Sequence, residues 1–302
     1  MRLLTTLAFI LFQLFSFGQT KIVSKKLINL RQIPYWKTIS KNDTLKGSYS
    51  YLDSLNFYFI KYRSDSLIIN GFTIEPKFGV KLPIVILNRG GNREFGAWTV
   101  GSLIERGSPI AKAGYIIIAS QYRGNSGSMG KDEFGGEDVN DVLNLIPIVK
   151  EIPQSDTSRI GMYGWSRGGI MNYIILTKTT KIKTTIIGGA PSNLIKELER
   201  RPEMEKVYEE LIPNYTSNKL IELEKRSAIF WTDKLCKSTT FLILHGKDDI
   251  RVDYSQAIEI EKKLRENQLK TSIKIFDGAD HMLSQYKLEK DRIVLEWLKQ
   301  NL

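Results

Sequence analysis

The sequence predicts an α/β fold built on one mostly parallel β-sheet that helices cover on both faces. Two observations predict it. From residue 82 onward, short apolar runs alternate with longer stretches of helical periodicity. The runs are apolar on both faces of a strand, which is typical of a parallel sheet buried on both sides. Alternation of strands and helices produces this layered arrangement.

The first 18 residues have the three-part composition of a secretory signal peptide. Met1-Arg2 is basic, residues 3–17 are mostly apolar, and Ser16 and Gly18 are small residues placed for cleavage after residue 18. The apolar run is shorter than the roughly 20 residues that a membrane-spanning helix needs. We therefore expect export to the periplasm or the medium, no stable membrane insertion after cleavage, and a single domain over residues 19–302.

A hairpin is the next predicted element. Residues 19–50 are polar and lack clean periodicity, so we expect a helical or irregular lead-in there. Residues 55–63 and 67–75 are rich in β-branched and aromatic side chains, and Ser64-Asp65-Ser66 separates them. This pattern predicts two antiparallel strands joined by a tight turn, at the edge of the sheet.

The remaining strands and helices follow from the alternating pattern. Strands are predicted at 82–87, 115–119, 159–163, 184–187, 239–244 and 272–276. Helices are predicted near 97–107, 136–150, 168–178, 254–267 and 284–300. Together with the hairpin, these strands predict a mixed, twisted sheet of about eight strands.

One interval departs from the alternation. Residues 191–235 carry no strand signal but contain charged helical stretches at 194–201 and 203–211. We interpret the interval as a helical lid insertion. Because loops that leave the carboxyl ends of parallel strands frame the ligand crevice, this insertion should form one wall of the site.

Composition excludes several classes of partner and cofactor. The 302 residues carry a net charge of +11, but the basic and acidic residues are interleaved and form no nucleic-acid-binding motif. The single cysteine, Cys236, forms no intramolecular disulfide. No residue set has metal-ligand spacing, and the glycine runs match no phosphate or dinucleotide fingerprint. We expect no nucleic-acid partner, metal or cofactor, and the sequence leaves the oligomeric state open.

A candidate nucleophile lies between a predicted strand and a predicted helix. Gly164-Trp-Ser-Arg-Gly168 matches G-x-S-x-G, and its position is that of a nucleophile elbow, a sharp turn that exposes Ser166 above the sheet. The serine hydroxyl is a weak nucleophile and needs a neighbouring base. This motif in this place indicates the α/β-hydrolase fold and acyl transfer.

Only two histidines are present to supply that base. His245 ends an apolar strand, where we expect a structural role with its ring nitrogens satisfied. His281 lies in a glycine-containing loop between the last strand and the last helix, from which it can reach Ser166. A carboxylate should orient the imidazole, and Asp248 and Asp249 both follow the penultimate strand. The order Ser…Asp…His is that of the α/β-hydrolases.

Backbone donors for the oxyanion are predicted at two places. The N–H of Arg167, directly after the nucleophile, is the first, and the N–H of Gly91, in a glycine-rich loop after a strand, is the second. A nearby cluster of charged residues should brace the loops around the site through ion pairs: Arg123, Glu137, Asp138 and Asp141.

These motifs together resemble the catalytic domain of the prolyl oligopeptidase family. The matching stretches occur in family order over about residues 55–300. They are Leu87-Asn-Arg-Gly-Gly91, Tyr122-Arg-Gly124, Phe134-Gly-Gly-Glu-Asp138, Gly164-Trp-Ser-Arg-Gly-Gly169, Leu244-His-Gly-Lys-Asp-Asp-Ile-Arg-Val252 and His281. In the family, the acid is the last position of His-Gly-x-x-Asp, with valine three residues later. The resemblance therefore implies Asp249 rather than Asp248.

The resemblance also implies an activity. Family peptidases usually carry a β-propeller ahead of the hydrolase domain, whereas fewer than 40 residues lie here between the expected cleavage point and the hairpin. Many stand-alone relatives act as esterases. We expect a serine hydrolase that cleaves a small peptide or ester through an acyl-enzyme, as a prolyl oligopeptidase-like serine peptidase. The alternatives are a carboxylesterase and a non-catalytic binding protein that retains the fold.

Overall fold

A nine-stranded sheet lies at the centre of the computed structural model, which describes residues 21–302. The predicted signal peptide, residues 1–18, lies outside the described residues. The sheet consists of β1 (Ile22–Leu27), β4 (Leu55–Ser64), β5 (Leu67–Pro76), β6 (Leu82–Asn88), β7 (Ile116–Ser120), β8 (Ser155–Trp165), β9 (Ile182–Gly188), β10 (Thr240–Gly246) and β11 (Thr271–Phe276). A separate small hairpin joins β2 (Ser40–Lys41) to β3 (Thr44–Leu45).

The spatial order of the strands is β1-β4-β5-β7-β6-β8-β9-β10-β11. Strands β6 to β11 run parallel to one another, while β1, β4 and β5 join them through antiparallel pairs. The predicted fold class, the hairpin and the six parallel strands are confirmed. Strand β8, which leads to the candidate nucleophile, lies inside the parallel part between β6 and β9.

The prediction of eight strands was short by one. Strand β1 falls in the segment for which we expected a helical or irregular lead-in, and it covers the outer edge of β4. Its residues are mostly exposed, so it carries little of the apolar periodicity that marks a buried strand. Lys25 on this strand forms an ion pair with Glu75, at 2.7 Å, and lies 4.2 Å from the centre of the Tyr58 ring. Charged side chains on an edge strand discourage pairing with other chains.

Helices cover both faces of the sheet. They are α1 (Trp36–Ile39), α2 (Val100–Arg106), α3 (Ser108–Lys112), α4 (Val139–Leu143), α5 (Leu145–Ile148), α6 (Arg167–Leu176), α7 (Leu194–Arg200), α8 (Met204–Leu211), α9 (Tyr215–Lys225), α10 (Ser255–Glu266) and α11 (Lys287–Asn301). Alternate residues of β6 enter different cores, since Ile84 and Ile86 pack on one face while Val85 and Leu87 pack on the other. This double burial explains why the strand has no polar face.

Three α-helices, α7 to α9, occupy the interval between β9 and β10 where the sequence predicted an insertion. Helix α7 begins after Asn193, whose side chain accepts hydrogen bonds from the backbone of Ile195 and Lys196. Tyr208 on α8 is buried and packs edge-on against Phe134, with ring centres 5.2 Å apart. Among residues 21–302, no helix has both the length and the hydropathy needed to span a membrane.

Candidate active site

Ser166 occupies the turn between β8 and α6. Its backbone has φ 55° and ψ −124°, a conformation that is strained for a residue with a side chain. The Ser166 N–H donates to the Gly188 carbonyl at 2.8 Å, which fixes the turn to β9. A Cβ at Gly168 would lie 2.1 Å from the Asn88 carbonyl oxygen, so only glycine lets α6 approach β6 this closely. The local structure is that of the predicted nucleophile elbow.

His281 and Asp249 are hydrogen-bonded to each other. The Nδ1 atom of His281 lies 2.7 Å from Oδ2 of Asp249, and both residues are buried. The other carboxylate oxygen, Oδ1, accepts the backbone N–H groups of Arg251 and Val252 at 2.8 and 3.0 Å. Asp248, the alternative acid, is exposed to solvent. The structure therefore brings Asp249, and not Asp248, to the imidazole.

The surroundings of Asp249 favour its ionised form. Burial alone would raise the pKa of this carboxyl. The hydrogen bonds from His245, His281 and the Val252 backbone outweigh the burial and hold the pKa well below its ordinary value. A carboxylate that stays charged can fix the orientation of the imidazole and stabilise its protonated form.

His245 takes a position that the sequence interpretation did not anticipate. Its Nε2 atom lies 3.0 Å from the Val252 carbonyl and 3.2 Å from Oδ2 of Asp249, so this ring touches the candidate acid. Its Nδ1 atom is buried and has no hydrogen-bond partner among the described residues. The expectation of a ring with both nitrogens satisfied was therefore wrong. The spacing of four residues between His245 and Asp249 was the feature of the sequence that could have indicated this contact.

The imidazole of His281 lies beside the elbow. The His281 carbonyl accepts the indole N–H of Trp165 at 2.9 Å, and Trp165 directly precedes the serine. A Cβ at Gly189 would lie 3.3 Å from Cε1 of His281, and φ is +50° there. Glycine at this position leaves room for the ring. Sequence reasoning missed Gly189, although its place after a strand was visible.

Neither the Ser166 hydroxyl nor Nε2 of His281 forms a hydrogen bond with a described residue. The direct Ser–His contact is therefore not formed in this structure, and the predicted role of the pair stays a prediction. Catalytic hydrogen bonds in ligand-free enzymes are often long or poorly aligned and tighten when substrate binds.

The two predicted oxyanion donors belong to residues that line the same pocket as Ser166. Arg167 is the first residue of α6, so its N–H has no partner within the helix. Gly91 lines the same pocket as Ser166. The preceding residue, Gly90, packs against the elbow, and a Cβ there would be 3.2 Å from Cβ of Ser166. The assignment of these donors stays a prediction.

The side chain of Arg167 is buried and ion-paired beneath the pocket. It binds both oxygens of Asp132 at 2.8 and 2.5 Å and one oxygen of Asp138 at 2.5 Å. Burial would raise the pKa of Asp132, but the charge of Arg167 and its hydrogen bonds lower it to about 2. The sequence had suggested a single network of Arg123, Glu137, Asp138 and Asp141.

That network is divided in the structure. Arg123 binds Asp141 at 2.8 Å and Asp65 at 2.7 Å, whereas Asp138 binds Arg167. Glu137 accepts a hydrogen bond from Asn140. Asp132, which the sequence analysis did not single out, thus supports the elbow directly. Its distance of 35 residues from Arg167 along the chain hid the pairing.

The pocket that contains Ser166 is small, at about 70 Å³. Helices α7 and α8 of the insertion form one wall. The lining residues are Gly91, Asn92, Phe134, Ser166, Arg167, Ile170, Pro191, Glu197, Arg201, Met204, Tyr208, Arg251 and Val252. This volume is well below the about 300–1,000 Å³ of pockets for drug-sized ligands. It suits a short acyl group or a small side chain.

Glu197 is the buried acid of this pocket. Its side chain is 2% exposed. The carboxylate accepts two hydrogen bonds, from Arg201 at 3.4 Å and from Gln256 at 3.2 Å. Burial raises the pKa of Glu197 to about 7, with a further rise from the charge of Asp249 and an opposing effect from Arg201. Sequence reasoning did not single out this residue, because nothing in a charged helix shows which side chain faces inward.

Sequence comparisons with known proteins find a matching family and relatives over most of the chain. The model of the prolyl oligopeptidase family matches residues 103–302. The uncharacterized peptidase YtmA of Bacillus subtilis is 26% identical over 213 residues, which cover 70% of this chain and 80% of that protein.

Solved structures show the same fold. Pyrococcus horikoshii acylaminoacyl peptidase superposes with a TM-score of 0.72 at 22% identity, over 84% of this chain and 43% of that one. An acetyl xylan esterase from Paenibacillus sp. R4 gives a TM-score of 0.66 at 16% identity, over 92% of this chain and 88% of the esterase. The chain thus spans less than half of the first protein and most of the second.

Proposed function

The chain belongs to the prolyl oligopeptidase family of serine hydrolases, and from that premise we propose that it cleaves short peptides through Ser166, His281 and Asp249. The attacked bond is an acyl bond, and the reaction passes through an acyl-enzyme on Ser166. Short substrates are proposed because the pocket beside Ser166 has a volume of only about 70 Å³.

Each residue has a defined chemical task in this proposal. His281 Nε2 accepts the proton of the Ser166 hydroxyl as the oxygen attacks the carbonyl carbon, and later gives that proton to the leaving amine. Asp249 holds the proton on Nδ1 and stabilises the imidazolium. The backbone N–H groups of Arg167 and Gly91 stabilise the oxyanion. Water then attacks the acyl-enzyme with the same proton transfers through His281, and the acid product leaves.

One observation carries the proposal above the others. The Nδ1 atom of His281 lies 2.7 Å from a buried carboxylate, and this contact leaves Nε2 as the nitrogen available to the serine. The imidazole lies beside the elbow, as the contacts of Gly189 and Trp165 indicate. A structural histidine does not require this combination of a buried acid partner and a neighbouring strained serine.

A carboxylesterase is the second candidate function. Two observations favour it: the acetyl xylan esterase matches along 88% of its length, and the pocket is small enough for an acetyl group. Both activities use the same chemistry and differ in the leaving group. N-acetyl-alanine p-nitroanilide and p-nitrophenyl acetate separate them, because a peptidase hydrolyses the anilide while an esterase cleaves the ester alone.

Covalent labelling tests whether the site is catalytic. We expect a fluorophosphonate probe to label the purified wild-type protein and to leave Ser166→Ala unlabelled. Ser217→Ala is the matched control, because Ser217 is an exposed serine on α9, and it should label like wild type. Equal labelling of wild type and Ser166→Ala, or no labelling of the folded wild type, would support the non-catalytic binding protein instead.

We also propose that the protein is exported, to the periplasm or the medium. The support is the basic, apolar and small-residue pattern of residues 1–18. N-terminal sequencing of protein from the expressing cells tests this. A mature protein that begins at Gln19 is expected, and a retained Met1 in the soluble cell interior would contradict the proposal.

A further inference from the structure

A second cavity shares no lining residue with the Ser166 pocket. Its volume is about 250 Å³, larger than the pocket that contains the serine. Leu87, Trp98, Trp165, Met282 and Leu283 form its apolar walls. Neither Ser166 nor His281 lines it, although the residues next to each of them do. The proposed hydrolysis does not use this cavity.

Two of the polar groups around this cavity are hydrogen-bond donors without partners among the described residues. The indole N–H of Trp98 is buried and makes no hydrogen bond among the described residues, and Trp98 is 6% exposed. The Tyr163 hydroxyl lines the cavity and has no hydrogen-bond partner in residues 21–302. A buried donor without a partner carries a cost that a ligand acceptor would remove.

A positive charge lies at the mouth of the cavity. Arg106 is exposed, and no carboxylate of the described chain lies within ion-pairing distance of its guanidinium. Its guanidinium carbon is 6.0 Å from the centre of the Trp98 ring. The other two cations of the lining already have partners, since Lys287 binds Glu105 at 2.9 Å and Lys290 binds Asp291 at 2.5 Å. Arg106 is thus the cation with capacity to bind an anion.

We propose that this cavity is a binding site for a small apolar monocarboxylate, with Arg106 as its counter-ion and Trp98 and Tyr163 as further donors. Apolar walls suit a hydrocarbon tail or an aromatic ring, and the donor-rich end suits a carboxylate. An alkylammonium ligand is disfavoured, because the only acid of the lining, Glu105, already accepts hydrogen bonds from Tyr35, Tyr49 and Lys287.

Titration calorimetry on the full chain tests the site with octanoate as the probe. The protein carries Ser166→Ala, so the measurement requires no activity and is independent of the proposed hydrolysis. We expect saturable binding of octanoate. The same-length probes octanol and octylamine should bind at least tenfold more weakly, because a hydrogen bond to a charged group is lost.

Variants locate the binding. Arg106→Gln should weaken octanoate binding by about tenfold or more and remove the preference for octanoate over octanol. Trp98→Phe should weaken binding by a smaller factor. The matched control is Arg292→Gln, an exposed arginine on α11 that pairs with Glu296, and its affinity for octanoate should equal that of the parent.

Three results would overturn the proposal. The first is the absence of saturable octanoate binding to the folded parent. The second is an unchanged affinity in Arg106→Gln. The third, measured with the wild-type chain, is loss of octanoate binding after a small phosphonate has blocked Ser166, because octanoate would then occupy the substrate pocket.

Discussion

The two neighbouring aspartates after β10 have different environments, although their side chains are identical. Asp249 is buried and receives hydrogen bonds from two histidines and two backbone N–H groups, while Asp248 is exposed. The turn geometry decides this difference, because successive residues point in different directions. The pattern of residues left both candidates open, and only the family register selected one.

The first prediction separates these two acids. Asp249→Asn should lower kcat by about 10³- to 10⁴-fold, because an amide cannot hold the imidazole in the required tautomer. Asp248→Asn is the matched control and should retain wild-type kcat. Both rates are measured with p-nitrophenyl acetate at constant pH. Equal losses in the two variants would contradict the assignment.

A second prediction concerns Glu197 and pH. Its folded-state pKa is about 7, against an ordinary value of 4.5 that we take for the unfolded chain. The folded protein therefore holds this proton more tightly. The stability that the protonated carboxyl provides is fully present below pH 4.5 and is lost as pH rises through about 7.

Glu197→Gln should remove this dependence. Relative to wild type, the variant should gain about 2 kcal/mol in free energy of unfolding between about pH 5 and pH 8. Urea unfolding at several pH values measures the difference. Glu296→Gln, at an exposed site on α11, controls for loss of one negative charge. If the difference in free energy of unfolding between Glu197→Gln and wild type does not change with pH, the pKa of Glu197 is not raised in the folded protein.

At the level of single residues, the sequence predicted those that lie in a recognisable motif or belong to a residue type that is rare in the chain. Ser166 follows from its pentapeptide, and His281 from being one of two histidines. Asp132, Glu197 and Gly189 could not be found in this way. Their importance depends on long-range contacts, and one sequence without three-dimensional information does not show which distant segments meet.

The elbow and the loop around residues 132–138 act as one structural element. Arg167 joins them through a buried ion pair with two aspartates, with side chains 4% exposed or less. Burying charges is costly, and mutual attraction offsets that cost only while all partners are present. The loop therefore depends on the Arg167 side chain for its stability. This role is separate from the proposed oxyanion-stabilising role of the Arg167 backbone N–H.

The third prediction follows from this pairing. Arg167→Leu should lower the free energy of unfolding by about 3–5 kcal/mol, because it leaves two buried carboxylates without their counter-charge. Arg292→Leu removes an exposed ion pair and should change stability by less than about 1 kcal/mol. Urea denaturation gives both values. Similar effects of the two substitutions would show that the buried pair contributes little.

Most elements could be predicted from the sequence because their periodicity is strong. The parallel strands are buried on both faces and appear as continuous apolar runs. Strand β1 was not predicted. It is an exposed edge strand that contains Ser24, Lys25 and Lys26, and it has no apolar pattern to detect. Its pairing with β4 is a tertiary property.

At the scale of the whole molecule, the sheet and the helical insertion together form the pocket that contains Ser166. The sheet supplies Ser166 and the loops, and α7 and α8 supply the opposite wall. The sequence predicted that an insertion would lie there, but not the shape of the pocket. Shape depends on how helices pack, and helical periodicity alone does not contain that information.

The fourth prediction tests this wall and rests on the proposed hydrolysis. Met204 is buried and lines the pocket, so Met204→Ala should enlarge it. The ratio of kcat/KM for p-nitrophenyl butyrate over p-nitrophenyl acetate should rise by about tenfold, since a methylene group in a pocket contributes about 1–3 kcal/mol. Met129→Ala, at an exposed site, should leave the ratio unchanged. An unchanged ratio in Met204→Ala would place the acyl group elsewhere.

The hydrogen bond between the Trp165 indole and the His281 carbonyl has a consequence for the timing of folding. It directly ties the last residue of β8 to the loop that carries the histidine, 116 residues further along the chain. Ser166 and its proposed base, His281, therefore become neighbours only when the loop that carries the histidine has docked. A nascent chain that ends before residue 281 contains the strained serine but lacks the histidine that would activate it. Under the proposed mechanism, hydrolytic competence therefore requires that synthesis has passed residue 281 and that this loop has docked on the elbow.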